Sequence, residues 1–432
     1  MNRLITSLAL LLTLSVTVAN ATVLSGRFGL SSYLWQRSEI DTSDTRHLQS
    51  SGAFGLRLGQ IGGHDLEVST SMRGTFDSRN QGDNVNDYRV YDFFARWRQL
   101  AKRADLSFGR HRVSWPNSSL SIDGGSAGLR LPRGFEVGGY IGSLAPDDGR
   151  FKMTNYDKGH AFGVRVGQRS ASLGTVYLAF AERREARSYT DKDVNTLAWR
   201  TYALDWRRPI TGFGSLYGDL LYDQPRARLA RAEMSARWDM TSRVSVNGQF
   251  RYRKPTIPYN SIFWVFGGSK YTEGRLRFLV RLNPDWQLTV GGSYVDITGD
   301  HATRYDLGVS HRYVSALLSG KTGASGTTTA LSADVMYPLN PKWMLRGGSH
   351  YSFAYELYED QQDNNSEASF WAGVRWQWLP MATWDVESQF LTQNIKTDPL
   401  FAGDKSDFRV IVRFSWWFFQ RLGAPAQTAV AK

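Results

Sequence analysis

From about residue 45 to residue 419 the chain repeats one pattern, in which aromatic or aliphatic residues alternate with Arg, Asp, Glu, Gln, Asn and Ser. Val244, Val246, Gly248, Phe250 and Tyr252 alternate with Ser245, Asn247, Gln249, Arg251 and Arg253, a period of two over ten residues that only a pleated strand produces. The next segment sets Leu276, Phe278, Val280 and Leu282 against Arg275, Arg277 and Arg281, with Leu279 as the one break. Leu66, Val68, Met72 and Phe76 alternate with Glu67, Ser69, Arg73 and Asp77, and Trp384, Val386 and Phe390 with Asp385, Glu387 and Gln389. One stripe is a weak signal, but a train of them predicts strands with one face in oil and the other in water.

Turn chemistry divides the train. Short connections near residues 61–64, 100–103, 131–134, 168–171, 208–212, 239–241, 283–285, 310–313, 338–341 and 379–381 give ten hairpin ends. Longer polar stretches at 37–45, 80–87, 145–158, 186–193, 359–367 and 395–406 lie between them. Short turns alternating with longer loops predict an all-β, antiparallel, up-and-down transmembrane barrel of about 22 strands, within 20–24. The striped segments begin soon after Thr22, so no separate plug domain is expected, and the wide lumen must hold water or inward-folded loops.

Composition places this barrel. No apolar run of about 20 residues follows the N-terminus, which excludes a helical membrane protein. Yet aromatic residues make up 13% of the chain, with 15 Trp, 20 Tyr and 23 Phe. A narrow lipid face around a polar lumen reconciles the two. Residues 1–21 read as a signal peptide: Arg3 is the basic start, Leu4 to Val18 the apolar stretch and Ala19-Asn20-Ala21 the cleavage site. Residues 22–419 are then the barrel and 420–432 a tail. The formal charge is +12, and the leader removes only Arg3 from it.

Cysteine is absent, which excludes disulfides, thiolate metal sites and covalent haem. The 7 His residues show no metal-ligand spacing, and no dinucleotide, phosphate-loop or nucleophile-elbow motif occurs. No cofactor, metal, catalytic residue or nucleic-acid partner is therefore expected.

The closing segment, Phe408-Arg409-Val410-Ile411-Val412-Arg413-Phe414-Ser415-Trp416-Trp417-Phe418-Phe419, resembles the aromatic-ended final strand that the barrel assembly machinery of Gram-negative bacteria recognises. It departs from that pattern because 420–432 follow it. Asp87-Tyr88-Arg89-Val90-Tyr91 and Leu106-Ser107-Phe108-Gly109-Arg110-His111-Arg112 resemble paired strands of bacterial porins. The resemblance implies a porin-like channel in the cell outer membrane, in contact with lipid, lipopolysaccharide and the assembly machinery.

If the apolar set faces lipid, Arg251, Arg253, Arg275, Arg277, Arg281, Arg346, Arg375, Arg409 and Arg413 line the pore. Guanidinium stays ionised and offers a planar fork of donors, so a ring of Arg draws anions; alternatively each Arg pairs with a neighbouring acid and braces the wall. The stretch 254–270 carries Ile262, Phe263, Trp264, Val265 and Phe266, an apolar run that is costly to expose. It extends the flanking strands, folds inward as a constriction loop or meets a partner. The expected function is passive or weakly selective diffusion of small hydrophilic solutes, with an anion preference through lumenal Arg. The alternative is a sheath housing a lumen-filling partner protein, as in porin–cytochrome conduits; a homo-oligomer is open on either reading.

Overall fold

The computed structural model describes residues 22–39, 42–77, 86–146, 149, 152–186, 195–210, 212, 214–255, 269–323, 326–358, 361–395 and 403–422. The expected leader (1–21), most of the expected tail and the apolar run Ile262 to Phe266 lie outside the described residues.

The striped segments form 22 strands. The first eleven are β1 (Thr22–Glu39), β2 (Thr42–Gly59), β3 (Leu66–Asp77), β4 (Asn86–Leu100), β5 (Ala104–Trp115), β6 (Ser118–Arg130), β7 (Phe135–Leu144), β8 (Gly159–Ser170), β9 (Gly174–Ala186), β10 (Asn195–Ile210) and β11 (Gly214–Asp223). The others are β12 (Arg228–Asp239), β13 (Val244–Arg253), β14 (Tyr271–Arg281), β15 (Gln287–Ile297), β16 (Asp300–Ser310), β17 (Val314–Gly323), β18 (Thr327–Asn340), β19 (Trp343–Tyr358), β20 (Gln361–Leu379), β21 (Ala382–Ile395) and β22 (Gly403–Leu422). Each pairs antiparallel with the next, and β22 pairs with β1 from Thr22↔Leu422 to Arg37↔Asp407, which closes the ring. All ten short connections expected from the sequence fall at one end, together with the start of β1 and the end of β22.

Three boundaries differ from expectation. Stretches 37–45 and 359–367 are mostly strand, because β1 pairs with β2 as far as Glu39↔Thr42 and β19 with β20 as far as Tyr358↔Gln361. Pairing also carries β22 to Leu422, three residues past the expected end. Pro209 and Pro338 sit inside the turn-side ends of β10 and β18, where a missing N–H costs least.

Alternation decides which face is which. In β14, Leu276 and Phe278 are exposed, whereas Glu273 is buried and Arg275 and Arg277 are half-buried. A closed ring crowds side chains on its concave face and spreads them on its convex face. The apolar set is therefore outer and the charged set lumenal. The outer belt ends toward the turns in an aromatic row: Trp343, Trp376, Trp384 and Phe414 are in register across β19–β22. Trp343 stacks on Trp376 at 5.4 Å and 8°, and Trp384 lies 4.8 Å from Phe414. So large an exposed apolar band suits a bilayer and not water.

One stretch of wall is irregular. β4 and β5 pair only from Leu100↔Ala104 to Phe93↔Arg110, so Asn86 to Asp92 keep their ladder with β3 but lose β5. The two stretches that carry the porin resemblance lie on neighbouring strands here, and Asp87 to Tyr91 do not pair with β5. β5 leaves the wall just after Gly109, whose φ of +113° suits glycine and whose Cβ, if present, would strike the Phe93 carbonyl. β6 follows across the facing pair Gly124↔Gly142, where a Cβ on Gly142 would lie 2.9 Å from the Asp123 carbonyl. Gly142→Val is expected to overpack this bend and lower stability by about 1–3 kcal/mol, read as a lower unfolding midpoint on heated gels. An unchanged midpoint would show that the bend does not need glycine.

Candidate functional site

The hairpin that β5 and β6 form does not stand in the wall. Its tip, Pro116-Asn117, contacts strands far round the ring: Asn117 Nδ2 donates to the Thr201 carbonyl on β10 at 3.2 Å, and Arg231 Nη2 on β12 donates to the Pro116 carbonyl at 2.7 Å. At roughly 4.8 Å per strand, β12 lies about 29 Å round the wall from β6. The hairpin reaches it by folding into the lumen.

Burial on the inner wall marks its bed. Ala161 on β8, Ala179 and Ala181 on β9, and Thr201 and Ala203 on β10 face the lumen by alternation, yet all are buried. These small residues leave room for a covering layer. Val113 and Ile122 of the hairpin pack with Tyr140 and Ala161 as one apolar cluster, flanked by Trp115, Leu120 and Leu144. Trp115 lies edge-on to Tyr140 at 4.8 Å, and the Arg165 guanidinium sits 5.2 Å from the Trp115 ring. Burying each large apolar group contributes about 1.5–3 kcal/mol toward holding the hairpin on this bed.

Arg110 fixes the root. Its guanidinium takes Asp123 in a two-pronged pair at 2.7 and 2.8 Å, and donates to the carbonyls of Val90 (3.2 Å) and Lys152 (2.9 Å). Its side chain is 4% exposed and that of Asp123 6%. The Val90 N–H donates to the Gly149 carbonyl at 2.7 Å, so the β7–β8 connection spans the edge that β5 abandons.

Across the lumen from the hairpin stand the expected arginines, most of them paired. Arg251 meets Glu273 (3.4 Å) and Glu233 (4.0 Å), and Arg253 meets Glu233 (2.5 Å). Arg275 and Arg277 share Asp306 at 2.8 and 3.3 Å. That carboxylate sits two strands away and reaches them over Gly291, where a Cβ would lie 2.6 Å from its Oδ2. Arg346 meets Asp385 (2.9 Å) and Glu387 (3.3 Å), Arg375 meets Asp385 (3.1 Å), and Arg409 meets Asp407 (3.1 Å). Arg281, at the turn-side end of β14, and Arg413, opposite Asp385, make no ion pair among the described residues. The arginines of β13 and β14 thus form largely a cross-strand charge ladder.

The sequence offers 254–270 as a constriction loop only as one of three readings, on residues that mostly lie outside the described ones, and it does not single out the β5–β6 hairpin. Two signals mark it in retrospect. Val113, Ile122 and Tyr140 put bulk on the face that should be polar, and glycine and alanine thin the stripes of β6–β10.

No protein-family model matches the chain, and no curated protein matches it in sequence. Solved structures match its fold. The translocation pore of the P pilus usher PapC is 8% identical over 91% of this chain and 99% of its own, with a TM-score of 0.50. The outer membrane protein opdK from Pseudomonas aeruginosa is 11% identical over 92% and 99%, with a TM-score of 0.45. At such identities the likeness concerns the barrel fold.

Asn117→Ala with Arg231→Gln removes both tip anchors. The released hairpin is expected to raise single-channel conductance roughly two-fold and to add open-state noise, since the narrowest ring governs flow. Unchanged conductance in planar bilayers would count against the hairpin as the constriction.

Proposed function

We propose that this chain is an outer-membrane channel for passive diffusion of small hydrophilic solutes, narrowed by the β5–β6 hairpin. One observation carries the reading. Several paired lumenal arginines away from the hairpin remain wet, although the carboxylates they meet are more buried: side chains of Arg253, Arg57 and Arg375 are 53%, 50% and 43% exposed. A lumen filled by protein would bury them, whereas a water passage along β13–β22 and β1–β4 leaves them solvated. Charged walls also keep such a passage wet. The hairpin's bed lies on β7–β12, so the passage runs beside it.

The paired lumen shapes the selectivity expected of it. An Arg–carboxylate ladder has strong local dipoles and little net charge, so it lets polar solutes slide without a deep well for either ion. Wall arginines then give weak anion preference at most. No catalytic role is needed for this function.

Refolded mature chain in a planar bilayer is expected to give stable open steps; a folded barrel without steps would contradict the channel. Asp306→Asn leaves Arg275 and Arg277 without their shared counter-ion. It is expected to raise the chloride-to-potassium permeability ratio by about two-fold, measured as reversal potential under a salt gradient. A fall in that ratio would show that the pairing is not what limits anion preference.

A further inference from the structure

The outer face of the barrel carries a charge cluster of its own, toward the loop ends of β8, β9 and β10. Glu182 on β9 stands opposite Phe162 on one side and Arg200 on the other, and Arg184 stands opposite His160. Directly opposed residues share a face, and Phe162 alternates in step with the outward, exposed Val164 and Val166. Glu182, Arg184, His160 and Arg200 therefore lie on the lipid side of the wall. The adjoining Arg183 and Glu185, which pair with each other, take the lumenal side.

One carboxylate serves two guanidiniums here. Arg184 Nε donates to Glu182 Oε1 at 2.7 Å, and Arg200 Nε donates to Oε2 at 2.8 Å. The Glu182 side chain is 6% exposed, whereas those of Arg184 and Arg200 are 40% and 31% exposed. A buried acid thus fixes two forks whose free edges meet the surroundings, and the trio keeps one positive charge in excess. Among the described residues the Nη groups of Arg184 meet no acceptor, and Arg200 Nη1 reaches only Gln224, at 3.5 Å. His160 stacks on the exposed Tyr156 at 4.2 Å, and the exposed Asp157 and Lys158 beside it offset each other.

Below the trio, one step toward the membrane, lies a shelf of rings. Phe180 stands opposite Tyr202, and Tyr202 opposite Tyr222. Phe180 is 5.8 Å from Phe162 and 5.3 Å from Tyr202. Tyr202, Tyr222 and the next outward residue on β9, Leu178, are exposed. An anionic group over an apolar surface is the shape of a lipid at the membrane interface.

We infer that Arg184 and Arg200 form a docking site for a phosphate of lipopolysaccharide, with the ring shelf beneath taking its acyl chains. Planar guanidinium forks match phosphate oxygens two at a time, and Glu182 holds both forks in place before the lipid arrives, which reduces the ordering cost of binding. Short turns mark the periplasmic end of such a barrel, so the loop ends and this trio face the outer leaflet. A solute in the passage is on the other side of the wall. The inference rests on the outer-membrane placement and is independent of conduction, so a barrel that conducts nothing leaves it standing.

The test is native mass spectrometry of the protein purified from membranes in detergent, titrated with lipid A and with lipid A stripped of its phosphates. Wild-type protein is expected to retain the phosphorylated lipid about ten-fold more tightly than the stripped one, since each hydrogen bond between charged partners is worth about 1.5–3 kcal/mol. In E182Q/R184Q/R200Q, where no buried carboxylate is left unpaired, that preference should be lost while the stripped lipid binds as before. Equal retention of the two lipids by wild-type protein, or an unchanged preference in the folded variant, would overturn the site. The first comparison needs only wild-type protein and decides the matter even if the variant does not fold. Inorganic phosphate that displaces lipid A at equal concentration would make this a site for free phosphate and overturn the lipid as its occupant.

Discussion

Everything in this fold follows from the demand that no backbone N–H or carbonyl be left without a partner inside a bilayer, where each orphan costs several kcal/mol. Closure of β22 on β1 meets that demand for the ring as a whole. The abandoned edge of β4 is where it bites. There the ladder to β5 ends at Phe93↔Arg110, and Arg110 with Gly149 takes over: a guanidinium caps the Val90 carbonyl and a loop carbonyl takes the Val90 N–H. Arg suits the post because one rigid fork serves Asp123 and two backbone carbonyls together. The fold can thus free a hairpin from its wall without opening a raw edge to lipid.

That freedom creates the site. An ordinary barrel of 22 strands encloses more space than its side chains fill. Here the surplus is taken up by part of the wall itself, bedded on alanine and glycine and pinned at Thr201 and Arg231. Beyond that bed the inner wall carries a paired charge ladder on β13, β14 and β19–β22. Pairing across strands serves both halves of the design: it ties neighbouring strands together, each exposed pair contributing about 0–1 kcal/mol, and it keeps the passage polar without a large net field.

The sequence carried the barrel well because its physics is local. A period of two needs only neighbouring residues, and turn chemistry needs only three or four, so the 22 strands and the ten turns were legible, and the closing strand to within three residues of its end. The lumenal placement of Arg251, Arg275, Arg277 and Arg346 was legible for the same reason. Their partners were not. Asp306 reaches Arg277 across Gly291, and Glu387 reaches Arg346 across Gly373, a relation set by register between three strands. The inward hairpin was hidden more deeply, since its anchors lie 84 and 115 residues away along the chain. Alternation reports which face a residue takes, and says nothing of a strand pair that leaves the wall whole.

The central claim is that the β5–β6 hairpin crosses the lumen. The chain has no cysteine, so two can be introduced cleanly, at exposed Ser119 on the hairpin and at exposed Ala227 in the turn before β12, and spin-labelled in lipid. Pulsed electron resonance then measures their separation. The account predicts one narrow distribution well below the roughly 25 Å straight line that six strands span on a ring of 22 at about 4.8 Å per strand. A distribution centred at or beyond that distance would mean the hairpin stands in the wall, and the constriction described here would not exist.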